Sequence, residues 1–255
     1  MGQALDNVHR IYLEGIAGGE AREAVTKYTG HRYTQHSTGV GDGVEGFLNF
    51  FEPFVARNPK RDIEIVRSFQ DGRWVFCNAY QSLNDGAARW VTMDMFYTDA
   101  DGLILEHWDT IAAYVAQTAS GEDMVAGAKH VDAGADGEAS KALVLEYTKQ
   151  VLQEGHTDRL SEFVAEDLIQ HGPDVGAGRD GLAAWLGSEA AGRYEFLFHL
   201  MGAGNFALTY SKRHARGQDI AVFDLYRVED GLIVEHWTNA EEISPREMWG
   251  NSGKF

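Results

Sequence analysis

The stretch Asp101-Gly102-Leu103-Ile104-Leu105-Glu106-His107-Trp108 occurs a second time as Asp230-Gly231-Leu232-Ile233-Val234-Glu235-His236-Trp237. In both, Asp-Gly supplies a turn, and the following run puts alternate side chains on opposite faces of a strand. The repetition extends outward from there. Tyr12 aligns with Tyr147 and Gln35-His36 with Gln170-His171 at one offset of 135 residues (147 minus 12, 171 minus 36). Asp94-Met95-Phe96-Tyr97 stands opposite Asp224-Leu225-Tyr226-Arg227. Gly41-Asp42-Gly43 is set opposite Arg179-Asp180-Gly181, which calls for three extra residues after His171 in the second copy.

A repeat of this length is a whole small domain rather than a solenoid unit, so the chain reads as a duplication. The copies are expected at residues 1–115 and 139–245, with a Gly-, Ala-, Ser- and Asp-rich linker at 116–138 and a tail at 246–255. Within each copy helices come first. Leu5, Val8, Ile11, Tyr12 and Ile16 recur at helical spacing until Gly18-Gly19, a short helix follows to Tyr28, and Asp42-Gly43 opens a third helix carrying Phe47, Phe50, Phe51 and Phe54. From Arg61 the period becomes two, with turns at Asp71-Gly72, Asn84-Asp85-Gly86 and Asp101-Gly102. The second copy repeats the strands over 193–201, 206–213, 220–228 and 232–243. Helices followed by an antiparallel meander predict an α+β fold with helices on one face of a curved sheet.

A net charge of −17 over 255 residues, with no basic stripe, argues against nucleic acid as a partner. The single cysteine, Cys77, lies in an apolar alternating run and is expected to be a buried thiol. The N-terminus has no signal-peptide pattern and no run of eighteen apolar residues occurs, so the reading is a cytoplasmic chain without a membrane partner.

The residues Tyr33-Thr34-Gln35-His36, Asp42-Gly43, Asp94-Met95-Phe96 and Asp101 through Asp109, echoed by Ile169-Gln170-His171, Asp224-Leu225-Tyr226 and Asp230 through Trp237, resemble the signature of SnoaL-like proteins. These are polyketide-cyclase relatives within the nuclear-transport-factor-two-like superfamily. The resemblance implies two tandem cone-shaped barrels, each a bent sheet wrapped around its N-terminal helices with an apolar cavity between. It implies pairing through the outer sheet face as well, hence an internal pseudo-dimer with room for further homo-oligomerisation. The superfamily spans aldol-type cyclases, isomerases, dehydratases, hydrolases and non-catalytic binding modules, and fold alone does not choose among them.

Asp94 and Asp224 sit within strands between apolar neighbours, where aspartate is disfavoured. Each reads either as a cavity acid or base or as a carboxylate paired structurally, with Arg227 for example. His107 and His236 fall on the face opposite Glu106, Trp108, Glu235 and Trp237, as relays for the aspartates or as structural histidines. His36 and His171 end an extended segment before glycine-rich loops, at a pocket mouth or as turn-fixing residues. His107 and Asp109 with His36 could hold a metal on paper, but Thr238 replaces Asp109 in the second copy, and the expectation is no metal and no cofactor. The phenylalanines of the third helix, with Trp74, Trp90, Phe76 and Phe96, are assigned to the core. The resulting expectation is acid/base chemistry on a small apolar carbonyl compound by Asp94, His36 and His107, repeated by Asp224, His171 and His236. The first copy is favoured as the working one. A small-molecule-binding or scaffolding module is the alternative.

Overall fold

A computed structural model describes residues 2–255. The chain forms two units, residues 1–113 with 243–255 and residues 114–242.

In unit 1, helix α1 (Gln3–Arg10) continues through wider π-helical turns (Ile11–Ala17), and α2 (Ala21–Tyr28) leads into strand β1 (Thr29–Gln35). Helix α3 (Gly43–Arg57) precedes β2 (Arg61–Asp71), β3 (Trp74–Leu83), β4 (Ala88–Thr98) and β5 (Ile104–Ala113). The sheet order is β1-β5-β4-β3-β2, with β1 parallel to β5 and the remaining pairs antiparallel. Val8, Ile11, Tyr12 and Ile16 form the buried stripe of the first helix, packed with Val25, Phe47, Leu48, Val75 and Phe96. A bulge between Ile65 and Arg67 interrupts the β2–β3 ladder, a feature that bends a strand and increases its twist. Cys77 is a buried free thiol.

Unit 2 repeats the plan with α4 (Gly137–Tyr147), a π-helical continuation (Thr148–Gln153), a 3-10 turn (Thr157–Glu162), β6 (Val164–Gln170), α5 (Gly178–Leu186), β7 (Arg193–Ala203), β8 (Phe206–Ala215), β9 (Gln218–Glu229) and β10 (Leu232–Glu242). Its order is β6-β10-β9-β8-β7, strand for strand that of unit 1. The architecture is α+β in two tandem copies, as expected. Among the described residues no helix is long and apolar enough to cross a membrane.

Two features differ from the sequence reading. Residues 116–138, read as a linker, are part of unit 2, which begins at 114, and 246–255, read as a tail, are part of unit 1 together with 243–245. Composition hid this because much of the anchoring uses backbone groups, which composition does not register: Ala119 N–H donates to Pro173 O at 3.0 Å, and Gly250 N–H donates to Thr38 O at 2.8 Å. The second difference is the loop before the third helix of each copy. Gly43 (φ 74°) corresponds to Gly178 (φ 67°), each opening its helix in the left-handed region that favours glycine. The backbone of Gly46 presses on Gly41 as that of Gly181 presses on Gly176. Both pairs keep the 135-residue offset (176 minus 41, 181 minus 46), so there is no insertion after His171. Asp42 corresponds to Ala177 rather than Asp180. The length difference falls later, since α3 has 15 residues and α5 has 9.

Candidate active site

Asp94 on β4 faces Asp109 across the ladder to β5, and His107 lies two residues earlier on the same face of β5. The parallel pairing of β1 with β5 brings Gln35 beside His107. His107 Nε2 lies 2.9 Å from Asp94 Oδ1, and His107 Nδ1 lies 2.9 Å from Gln35 Oε1. Gln35 Nε2 donates to the Tyr33 hydroxyl at 2.7 Å, so its Oε1 is left to accept from His107 Nδ1–H. With Nδ1 protonated, Nε2 and Asp94 Oδ1 hold one proton between them.

The second oxygen, Asp94 Oδ2, is buried with no partner at hydrogen-bond distance, although the nearby Tyr12 hydroxyl helps to stabilise the charged form. An orphaned carboxylate oxygen is costly in a protein interior. Burial holds the Asp94 carboxyl above its ordinary range, with the Asp109 charge adding to the rise and His107 opposing it. The Tyr12 hydroxyl bonds Thr92 Oγ1 at 3.1 Å. Burial pushes the phenols of Tyr12 and Tyr33 up, and nearby carboxylate charge adds to both shifts, so both remain protonated donors near neutrality.

These groups form the polar end of a cavity of about 270 Å³. Its wall is aromatic: Phe47, Phe50, Phe51 and Phe54 of α3, with Trp90 and Phe96 from β4. The residues read as core are core and cavity lining at once: Phe47 and Phe96 are buried in the core cluster, Phe51 and Phe54 pack against it, and all four face the cavity. Phe50, Trp90 and Ile111 are 36%, 37% and 40% exposed, which marks the mouth. Helical spacing cannot separate a packed core from the lining of a hole within it.

Lys254 also reaches this site. Its fully buried Nζ donates to Asp109 Oδ1 and to Asp109 O, both at 2.9 Å. Burial raises the Asp109 carboxyl, but the Lys254 ammonium and His107 more than offset this and hold it below the ordinary carboxylate range. Donor atoms of Asp94, His107 and Asp109 lie within 4.8 Å of one another. We do not assign a metal centre to them, because Lys254 already balances the charge that a divalent cation would balance.

His36 is not part of this cavity, contrary to the sequence reading. It stacks on Trp108 with ring centroids 4.3 Å apart and planes 2° apart. Its Nδ1–H donates to Gly253 O at 2.8 Å, and its Nε2 lies 3.3 Å from Glu106 Oε2. His171 repeats this, stacked on Trp237 at 4.9 Å, bonded to Asp123 O at 2.7 Å and to Glu235 Oε1 at 2.9 Å. Both histidines clasp the segment that completes their unit. Arg227 pairs with Glu235, not with Asp224.

The second strand aspartate has a different environment. His236 Nε2 lies 3.0 Å from Asp224 Oδ1. Gly172 N–H donates to Gln170 Oε1 at 2.8 Å, which turns Gln170 Nε2 toward His236 Nδ1 at 2.9 Å. His236 therefore carries its proton on Nε2 and donates it to Asp224. Asp224 Oδ2 accepts from the Tyr194 hydroxyl at 3.0 Å. Tyr194 pairs with Arg213 where Ile63 pairs with Gln81 in unit 1, so a phenol fills space that unit 1 leaves to an aliphatic side chain. Tyr194→Phe is expected to destabilise unit 2 by about 1–3 kcal/mol, the cost of leaving Oδ2 buried without a donor, read as a lower urea midpoint.

The SnoaL-like domain family matches residues 144–236, and unit 1 repeats the strand order and glycine pairs of the unit so matched. Unit 2 is thus similar to SnoaL-like domains, and unit 1 is built on the same plan. Solved structures similar to it include a candidate polyketide cyclase from Bacillus cereus ATCC 10987, 18% identical over 43% of this chain and 74% of its own, with a TM-score of 0.38. A candidate ketosteroid isomerase from Kribbella flavida DSM 17836 is 19% identical over 44% of this chain and 85% of its own, with a TM-score of 0.39. An NTF-2 like protein of unknown function from Burkholderia xenovorans LB400 is 18% identical over 43% of this chain and 90% of its own, with a TM-score of 0.37. No curated protein matches the sequence.

Proposed function

We propose that unit 1 is a cofactor-independent acid/base enzyme for a small, largely apolar carbonyl compound. The observation that carries this reading is the unpartnered Asp94 Oδ2 at the end of an apolar cavity. The homologous Asp224 shows what a fully satisfied carboxyl looks like at that position, and Asp94 departs from it. Such an oxygen is free to take a proton from the carbon next to a substrate carbonyl. His107 orients Asp94 and holds the proton shared with Oδ1, while Gln35 fixes the imidazole. The Tyr12 and Tyr33 hydroxyls are the nearby neutral donors for the oxygen on which charge develops. Returning the proton elsewhere gives isomerisation, attack of the enolate on a second carbonyl gives aldol-type cyclisation, and loss of a β-hydroxyl gives dehydration. The reading places the chemistry in unit 1 and leaves Asp224 and His236 a structural part.

A panel of carbonyl compounds, followed by loss of carbonyl absorbance or by exchange of the adjacent proton in deuterium oxide, tests this directly. Turnover that survives Asp94→Asn would sink it. Ligand binding has its own check with 2-naphthol, a planar apolar alcohol small enough for the cavity. Phe51→Trp adds volume to the aromatic wall and is expected to weaken 2-naphthol binding at least about tenfold in a fluorescence titration, with the unfolding midpoint little changed.

A further inference from the structure

We infer that Lys254, delivered by the C-terminal segment, is a positioning residue of the unit 1 site, where it fixes Asp109 and balances its charge beside Asp94. This rests on the reading of Asp94 as the acid/base group. The geometry is specific: a fully buried ammonium bonds both the backbone oxygen and Oδ1 of Asp109, whose partner across the ladder is Asp94.

A role in fastening the segment does not account for it. Four other contacts already fasten 243–255: Gly250 N–H to Thr38 O at 2.8 Å, Asn251 Nδ2 to Val40 O at 2.8 Å and to Ser37 O at 2.5 Å, and the His36 clasp on Gly253 O. Unit 2 holds its own completing segment with the equivalent clasp, His171 on Asp123 O, and Thr238 stands where Asp109 would be. The clasp is common to both units, whereas the Asp109–Lys254 pair belongs to the unit whose aspartate oxygen is open. A buried ion pair is moreover a poor source of net stability, because desolvation of the two charges offsets their attraction.

The charged and titratable groups around Asp94 are His107 and Asp109 on β5, Tyr12 on the first helix, Tyr33 on β1, Cys77 on β3, and Lys254 behind Asp109. The two phenols and the thiol stay neutral near pH 7, since burial pushes all three up. The Asp109–Lys254 pair contributes no net charge while intact. Removing either partner leaves one uncompensated charge next to the proton shared by Asp94 and His107.

The test is titration of the Asp94–His107 pair by NMR of isotope-labelled histidine, which needs no ligand. Lys254→Met is expected to raise the pair's apparent pKa by about one unit or more, because Asp109 is left unbalanced, and Asp109→Asn to lower it by a similar amount. The double variant should return near the native value, and Lys254→Arg should stay there. Opposite shifts that cancel cannot come from a loosened segment. If Lys254→Met lowers stability yet leaves the titration unmoved, the inference is overturned. If Lys254→Met does not fold, Asp109→Asn alone decides, by a downward shift or none. The parent reading fails separately, if Asp94→Asn leaves the pH dependence of 2-naphthol binding intact.

Discussion

If unit 1 has the proposed function, Asp94→Asn is expected to lower kcat by two to four orders of magnitude on a carbonyl compound that the native protein turns over, the range general acid/base groups contribute. The amide preserves the shape of the side chain and a hydrogen bond to His107 but cannot take up a proton. In the native protein the ascending limb of kcat/KM should lie above the ordinary carboxylate range, because burial raises the Asp94 carboxyl. The same shift fixes the sign of the stability effect. A group whose folded pKa is raised contributes stability that is fully present below its unfolded pKa and is lost as pH rises through the folded one. Native stability should therefore fall across that window, while Asp94→Asn stays flat and is no less stable at neutral pH. Denaturant melts at several pH values check this. A variant that is both inactive and grossly destabilised at neutral pH would mean that Asp94 holds the fold rather than the chemistry.

The second large effect is structural. A Cβ at Gly46 would lie 2.1 Å from Gly41 O, and one at Gly181 would lie 2.2 Å from Gly176 C. Both clashes are with backbone, which cannot rotate away as a side chain can. Gly46→Ala and Gly181→Ala should each cost about 3 kcal/mol or more, through separation of the helix from the loop before it. Gly39→Ala, where an added Cβ meets nothing within 4 Å, is the matched control. Urea midpoints of the three variants settle the comparison. A midpoint for Gly46→Ala near that of the control would mean that the loop has an alternative path.

Much of the fold was legible because its signals are local. Asp-Gly turns, the switch from helical to alternating period, and the repeated Asp-Gly-Leu-Ile run each depend on neighbours in the chain. The cavity side of β5 followed in part, since alternation put His107 opposite Glu106 and Trp108. What the sequence could not carry was the parallel pairing of β1 with β5, which sets Gln35 against His107 and turns His36 onto Trp108. A histidine ahead of glycine-rich residues reads as a pocket mouth until its stacking partner, 72 positions on (108 minus 36), is known. Gln35 and Gln170 carry a signal in the repeated Gln-His pair, in which the histidine is the more chemically suggestive member. Lys254 carried none, lying 145 residues from the carboxylate it meets. The loop alignment failed for a related reason: identical Asp-Gly pairs outweighed the glycine spacing that backbone contact demands.

The exchange of completing segments has a bearing on how the protein is made. On the ribosome, the strands of unit 1 emerge first, yet that unit is finished only after residues 243–255 have followed all of unit 2. Throughout that interval Asp109 has no Lys254, and His36 has no Gly253 carbonyl to clasp. The first domain to be synthesised is thus the last to be completed, because the segment that finishes it is made only after all of unit 2.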